Sequence, residues 1–200
     1  MTNYKATPND SRYVPFTQQA SCCVPTSIQM VMYKSGVPLI PAEEIGWHLG
    51  LVVKPQDGYL FYDARVSETP PAAGYGTRIY EPGFEVNTAF KNMGIPLNHT
   101  LKSIHDIFSP SELLSILSKV EADDGNAILC FNHGALVDDN ARDWGHVVVF
   151  DRIIDGDLRI IDPSPTHPKW RIVKTTKMFE AMVVHGKKKT ASGVWLIERI

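Results

Sequence analysis

Residues 18–27 read Gln18-Gln19-Ala20-Ser21-Cys22-Cys23-Val24-Pro25-Thr26-Ser27, and they run directly into an amphipathic stretch. Ile28, Val31, Met32 and Ser35 follow the i, i+3, i+4, i+7 stripe of a helix, and Gly36 supplies a stop, so a helix is predicted from about Cys23 to Lys34. Pro25 fits its first turn, where a missing N–H costs no intrahelical bond. The two thiols therefore stand at a helix start, where unsatisfied N–H groups and the positive end of the dipole favour thiolate. Only the thiolate attacks well, so a nucleophilic cysteine gains most there. A cysteine also serves as a small buried hydrophobe, and taken alone the position divides evenly between the two uses.

Outward from this helix, Ala42–Leu49, Glu85–Asn92 and Ser109–Glu121 also read as helices, the last opening on Ser109 with Glu112 at capping-box spacing. Residues 52–82 are rich in Gly, Pro and Tyr, and read as a long surface excursion of the kind that is usually functional or mobile. The first fifteen residues read as a polar surface strap. After Gly125 the period changes. Ala127–Phe131, Val147–Phe150, Leu158–Ile161, Trp170–Val173 and Val194–Ile197 are short strand-like runs, with a hairpin signal at Asp155-Gly156-Asp157. Helices first and strands later predict an α+β fold with an antiparallel sheet in the C-terminal part. One domain is expected, its helical half about 16–121 and its sheet half about 126–200.

The chain has 200 residues, 44% hydrophobic and 21% charged, which excludes disordered and collagen-like classes. A net charge of −2 lacks the footprint of a nucleic-acid-binding protein. Three cysteines, Cys22, Cys23 and Cys130, are too few for a disulfide framework and point to a reducing compartment or to thiols kept for chemistry. The opening residues lack the apolar core of a signal peptide, and no apolar run reaches the roughly 20 residues needed to cross a bilayer. A soluble, cytoplasmic protein without membrane insertion is expected.

Two further segments carry chemistry. In Trp144-Gly145-His146-Val147-Val148-Val149-Phe150 a histidine heads a strand, held rigidly where it can serve as a general base. In Ile160-Ile161-Asp162-Pro163-Ser164-Pro165 an aspartate ends one. Asp-Pro is most commonly only a turn former. Yet strands joined at Asp155-Gly156-Asp157 would bring Asp162 beside His146, where a carboxylate fixes the imidazole tautomer and stabilises the imidazolium. A cysteine on a helix start, then a distant histidine and aspartate on neighbouring strands, is the order that a nucleophile, its base and an orienting acid require.

On these residues the chain resembles the papain-like bacteriocin-leader (double-glycine) peptidases. Gln18 through Met32, with Cys-Val-Pro-Thr-Ser from Cys23, is similar to that family's Gln…Cys-Gly-Pro-x-Ser opening. Gly145-His146-Val147-Val148-Val149 and Ile161-Asp162-Pro163 are similar to its His and Asp segments, in the same order. The resemblance implies a papain-like fold and a thiol hydrolase, most simply a peptidase. Its nucleophile would be Cys23, its base His146 and its orienting acid Asp162. A glutamine ahead of the cysteine, Gln18 in preference to Gln19, would share the oxyanion with the Cys23 backbone N–H. A peptide or protein substrate and no cofactor are implied.

The chain departs from the pattern at Val24, where the family has Gly, and in a Gln-to-Cys interval shorter by one residue from Gln18 or by two from Gln19. The family is typically fused to a transporter, so a double-glycine leader substrate does not follow from the match. An acyltransferase, amidase or deamidase suits the same residues, and an idle binding module is a third reading. Cys22 and Cys23 are poorly spaced for zinc, and no nucleotide-binding glycine motif is present. Lys187-Lys188-Lys189 reads as a solvated turn, Cys130 as core, and His48, His99 and His133 as ordinary helix or strand residues. Asp138, Asp139, Asn140 and Asp143 read as part of a polar loop leading into His146 that could gate the cleft, and the loop 135–145 is, with 52–82, a candidate cleft wall.

Overall fold

A computed structural model of the chain describes residues 10–72 and 74–200. The predicted N-terminal strap is thus seen from Asp10 on, its first nine residues lying outside those described. Helix α1 spans Cys23–Lys34 and α2 spans Ala42–His48, followed by short parallel strands β1 (Val52–Val53) and β2 (Arg65–Val66). Then come α3 (Val86–Asn92), β3 (Leu97–Ser103), α4 (Pro110–Ala122) and β4 (Asn126–Asn132). The chain continues with α5 (His133–Val137), β5 (Gly145–Ile154), β6 (Asp157–Ile161), β7 (Trp170–Val173), α6 (Thr175–Gly186) and β8 (Gly193–Arg199).

The main sheet has six strands in the order β3-β8-β4-β5-β6-β7, every neighbour antiparallel. Side chains alternate across it, so successive residues feed two cores. One face carries Ile128, Cys130, Val147, Val149 and Ile161 into a core with Ile28, Val31 and Met32 of α1. The other carries Leu129, Phe131, Val148, Phe150 and Ile160 against Leu113 and Leu117 of α4 and Met178 and Met182 of α6. Each fully buried Leu, Ile or Met contributes about 1.5–3 kcal/mol of transfer free energy, which makes these two layers the main favourable term. Helix α1 is buried well beyond its predicted stripe, through Val24, Thr26, Ser27 and Met30, because it is central rather than superficial.

The α+β reading stands, with a less strict segregation of helices and strands. Strand β3 lies inside the predicted helical half, and α5 and α6 lie inside the predicted sheet half. In α6, Met178, Ala181, Met182 and His185 form the buried stripe, but Thr175, Thr176, Val183 and Val184 are β-branched and mask the helical signal. The excursion over 52–82 packs in part on the domain: Leu51, Val53 and Phe61 bury together, and Val52 bridges to Gly76. Asp155 and Gly156, at φ of 51° and 81°, form the predicted two-residue hairpin turn between β5 and β6.

Candidate active site

The approach to α1 is a tight turn closed by the Cys22 N–H donating to the Gln19 carbonyl at 3.1 Å, with Ser21 at φ 63°. A positive φ at the third residue of a turn normally selects Gly or Asn, so Ser21 carries backbone strain immediately before the thiols. The turn sends the two cysteines apart. Cys22 is fully buried with Leu51, Val53 and Phe61, and burial, reinforced by Cys23 and Glu43, pushes its thiol up to about 12. Cys23 is half-buried and opens the helix, where a backbone N–H has no intrahelical acceptor. Val24, the departure from Gly, simply joins the core beneath.

His146 is the second residue of β5, and its pairing opposite Phe131 of β4 fixes its face of the sheet. The ring of Phe131 meets it edge-on at 5.8 Å. Whether Asp162 shares that face depends on a bulge. Ile154 pairs with Asp157, Ile153 with Leu158 and Arg152 with Arg159, but Phe150 then pairs with Ile160, so Asp151 is the extra residue. Continued past Val149↔Ile161, the shifted register sets Asp162 opposite Val148, on the His146 face. Without the bulge Asp162 would face Val149, on the opposite side of the sheet. The bulged Asp151 is itself fully buried, bonded to Arg159 Nε at 2.5 Å and to the Arg12 N–H at 2.8 Å, so the strap is fastened at the bulge.

The result is a connected set of groups. His146 Nε2 lies 2.8 Å from Asp162 Oδ1, and Cys23 is near enough to the ring to favour its charged form. Nδ1 is the remaining ring nitrogen. Burial alone would lower the His146 pKa, but the bonds and charges of Asp162 and Cys23 outweigh it and raise it to about 10. Asp162 is fully buried, which would raise its pKa. Its bond and attraction to His146, the Ser164 N–H at 3.0 Å and the Arg171 guanidinium at 2.7 Å instead hold it well below the usual carboxylate range. Its Oδ1 accepts from the residue two places on, so the Asp-Pro turn and the contact with His146 use the same oxygen.

The two glutamines are separated by what they touch. The Gln18 N–H donates to the Pro163 carbonyl at 2.9 Å, which seats Gln18 beside the Asp162 turn, and its Oε1 is buried without a partner among the described residues. Gln19 is exposed, and its amide donates to the Leu60 carbonyl at 3.1 Å. That bond lays the excursion against the chain entering α1, where Leu60, Tyr62, Gln19, Thr26 and Glu43 line a groove of about 520 Å³. Cys23 and His146 do not line it.

His133 is the residue that sequence reasoning passed over. It is buried, stacks on Trp144 at 5.5 Å, and lies 5.3 Å from the His146 ring and 5.2 Å from His167, with no hydrogen-bond partner for Nδ1 among the described residues. The signal was its position: it directly follows β4, the strand that pairs with the β5 start carrying His146. Nor is the polar loop open. Its backbone closes through the His133 N–H to the Trp144 carbonyl at 2.8 Å, Asn132 donates to Asp143 at 2.8 Å, and Lys188 of the basic run pairs with Asp143 at 2.6 Å.

Burial lowers the pKa values of His99, His133 and His185 to about 4 each. In each case the folded value lies below the unfolded value of about 6.5, so the unfolded chain takes up the proton first. Stability is therefore expected to fall as pH drops from about 6.5 to 4, and His133→Gln, which cannot titrate, should lose less over that window. Thermal melts at several pH values check this; equal slopes for the two proteins would contradict it.

No family model matches the chain, and no curated protein matches it. Among solved structures, a Bacillus anthracis protein described as a "putative C39-like peptidase" is similar over 93% of this chain and 95% of its own, with a TM-score of 0.53 and 17% identity. At that identity the likeness is one of fold. The chain thus has a C39-like, papain-like peptidase fold: an N-terminal helical part and an antiparallel sheet of six strands. Among the described residues no helix is long and apolar enough to cross a membrane.

Proposed function

We propose that the chain is a cysteine peptidase acting on a peptide or protein substrate through an acyl-enzyme on Cys23. The observation that carries this reading is the buried imidazole of His146, bonded to Asp162 at 2.8 Å and close enough to Cys23 for the thiol to raise its pKa. Cys23 sulfur attacks the scissile carbonyl carbon, and the oxyanion is held by the Cys23 backbone N–H and the Gln18 amide. His146 gives its proton to the departing amine as the C–N bond breaks, leaving a thioester. Water then attacks the thioester, His146 takes the water proton and is an imidazolium again, and the Cys23 thiolate leaves as the carboxylic acid is released. Asp162 keeps the ring oriented throughout and balances its charge.

The excursion 52–82, tied to Gln19 through the Leu60 carbonyl, and the polar loop 135–145, which carries Trp144, 51% exposed, would supply the substrate walls. The test is acid quenching during turnover of a peptide library, followed by mass spectrometry. A substrate-derived acyl mass on the Cys23 peptide, with new free N-termini in the products, is expected. Acyl transfer to an added amine without hydrolysis would replace the peptidase reading by an acyltransferase one, and an adduct on Cys22 would overturn the assignment of the nucleophile.

A further inference from the structure

We infer that Arg171 is a positioning residue for this site: its buried guanidinium pins the Asp162 carboxylate in its charged form, so that the other oxygen stays aimed at His146. The inference rests on the peptidase reading for its purpose, though not for its test. Arg171 lies on β7 opposite Ile160, on the same face as Asp162 and diagonal to it. Its Nη1 donates to Asp162 Oδ2 at 2.7 Å, and the two side chains are 2% and 0% exposed. The oxygens are thus divided: Oδ1 takes His146 and the Ser164 N–H, and Oδ2 takes Arg171.

An isolated buried carboxylate would sooner take up a proton than stay ionised, and a protonated Asp162 could neither orient nor balance an imidazolium. The groups that bear on Asp162 come from every element around it. His146 reaches it from β5 and Arg171 from β7, while His167 from the following loop stands 3.5 Å from Oδ2. Lys169 binds the backbone carbonyls of Asp162, Pro163 and Ser164 rather than the carboxylate. Burial lowers the pKa values of His167 and, with the charges of His146 and His167, of His133 behind it, so Arg171 is the cation at Oδ2 at neutral pH.

The test follows the Asp162 carboxyl carbon by NMR from about pH 6 down to the lowest pH at which each protein stays folded, in the natural protein, Arg171→Gln and Arg171→Lys, an unfinished titration being read as an upper bound on the midpoint. Glutamine can keep a hydrogen bond but not the charge, and lysine keeps the charge. The Arg171→Gln midpoint should rise by about one pH unit or more, and Arg171→Lys should recover most of that. A folded Arg171→Gln protein titrating with the natural one overturns the inference. If Arg171→Gln does not fold, the comparison becomes Asp162→Asn against Asp162→Asn/Arg171→Gln, where no carboxylate is stranded. Iodoacetamide labelling of Cys23 within about twofold in that pair supports a role through Asp162, and a tenfold or larger difference overturns it. The carboxyl titration does not need a reactive thiol. A protein that cleaves nothing would therefore count against the peptidase reading and leave Arg171 to be decided by NMR.

Discussion

Replacing His146 by Ala is expected to slow iodoacetamide labelling of Cys23 about a hundredfold at about pH 6. With its pKa raised to about 10 by Asp162 and Cys23 against burial, His146 is an imidazolium at that pH. A free thiol of pKa about 8.5 is less than about 1% thiolate there, so a sulfur paired with a cation has roughly two orders of magnitude to gain. Alanine removes both the cation and the proton acceptor. Cys22 and Cys130 serve as internal controls, since both are buried and both thiols are pushed up by burial. Peptide mapping after short exposure should find the label on Cys23 alone. Equal labelling of natural and His146→Ala proteins, or label on Cys22 first, would refute the assignment.

Gln18→Ala should cut turnover of a peptide substrate by about 10²–10³ while leaving Cys23 labelling unchanged, because an oxyanion donor acts only once the carbonyl has been attacked. Gln19→Ala should change turnover by less than about twofold, since its amide is already spent on Leu60. The split between turnover and labelling separates loss of the donor from collapse of the site. The reverse ranking of the two glutamines would move the oxyanion role to Gln19.

What could be read from the residues was whatever local chemistry decides. The bounds of α1 and β7 coincide with the expected Cys23–Lys34 and Trp170–Val173, and the Asp155-Gly156 turn is where its two positive-φ residues place it. The meeting of His146 with Asp162 is legible because a hairpin signal lies between them. What could not be read depends on register. His133 looks ordinary in the sequence, and only the end of β4 turning into α5 beside β5 brings its ring to that of His146, while Arg171, a charged residue in a short strand, carries the sequence signature of a solvent-facing position. The run Val147-Val148-Val149-Phe150-Asp151-Arg152-Ile153-Ile154 has no alternation that would reveal an irregular pairing at its centre. Strand β3 is an edge strand with a half-polar pattern, and α6 is rich in β-branched residues, so both were obscured by composition.

The single unmatched residue in β5 sets a counting rule for the evolution of this hairpin. Between His146 and the reversal at Asp155-Gly156 the chain holds one residue more than the opposing strand can match, and that odd residue gives His146 and Asp162 a common side. A related chain that dropped it would need a compensating one-residue change somewhere between His146 and Asp162 to keep their contact. A pair of added residues, one on each arm at the far tip, would leave that contact untouched. Length variation here should accordingly come in matched pairs, and a lone insertion or deletion should mark a lineage that has lost the pairing of imidazole with carboxylate.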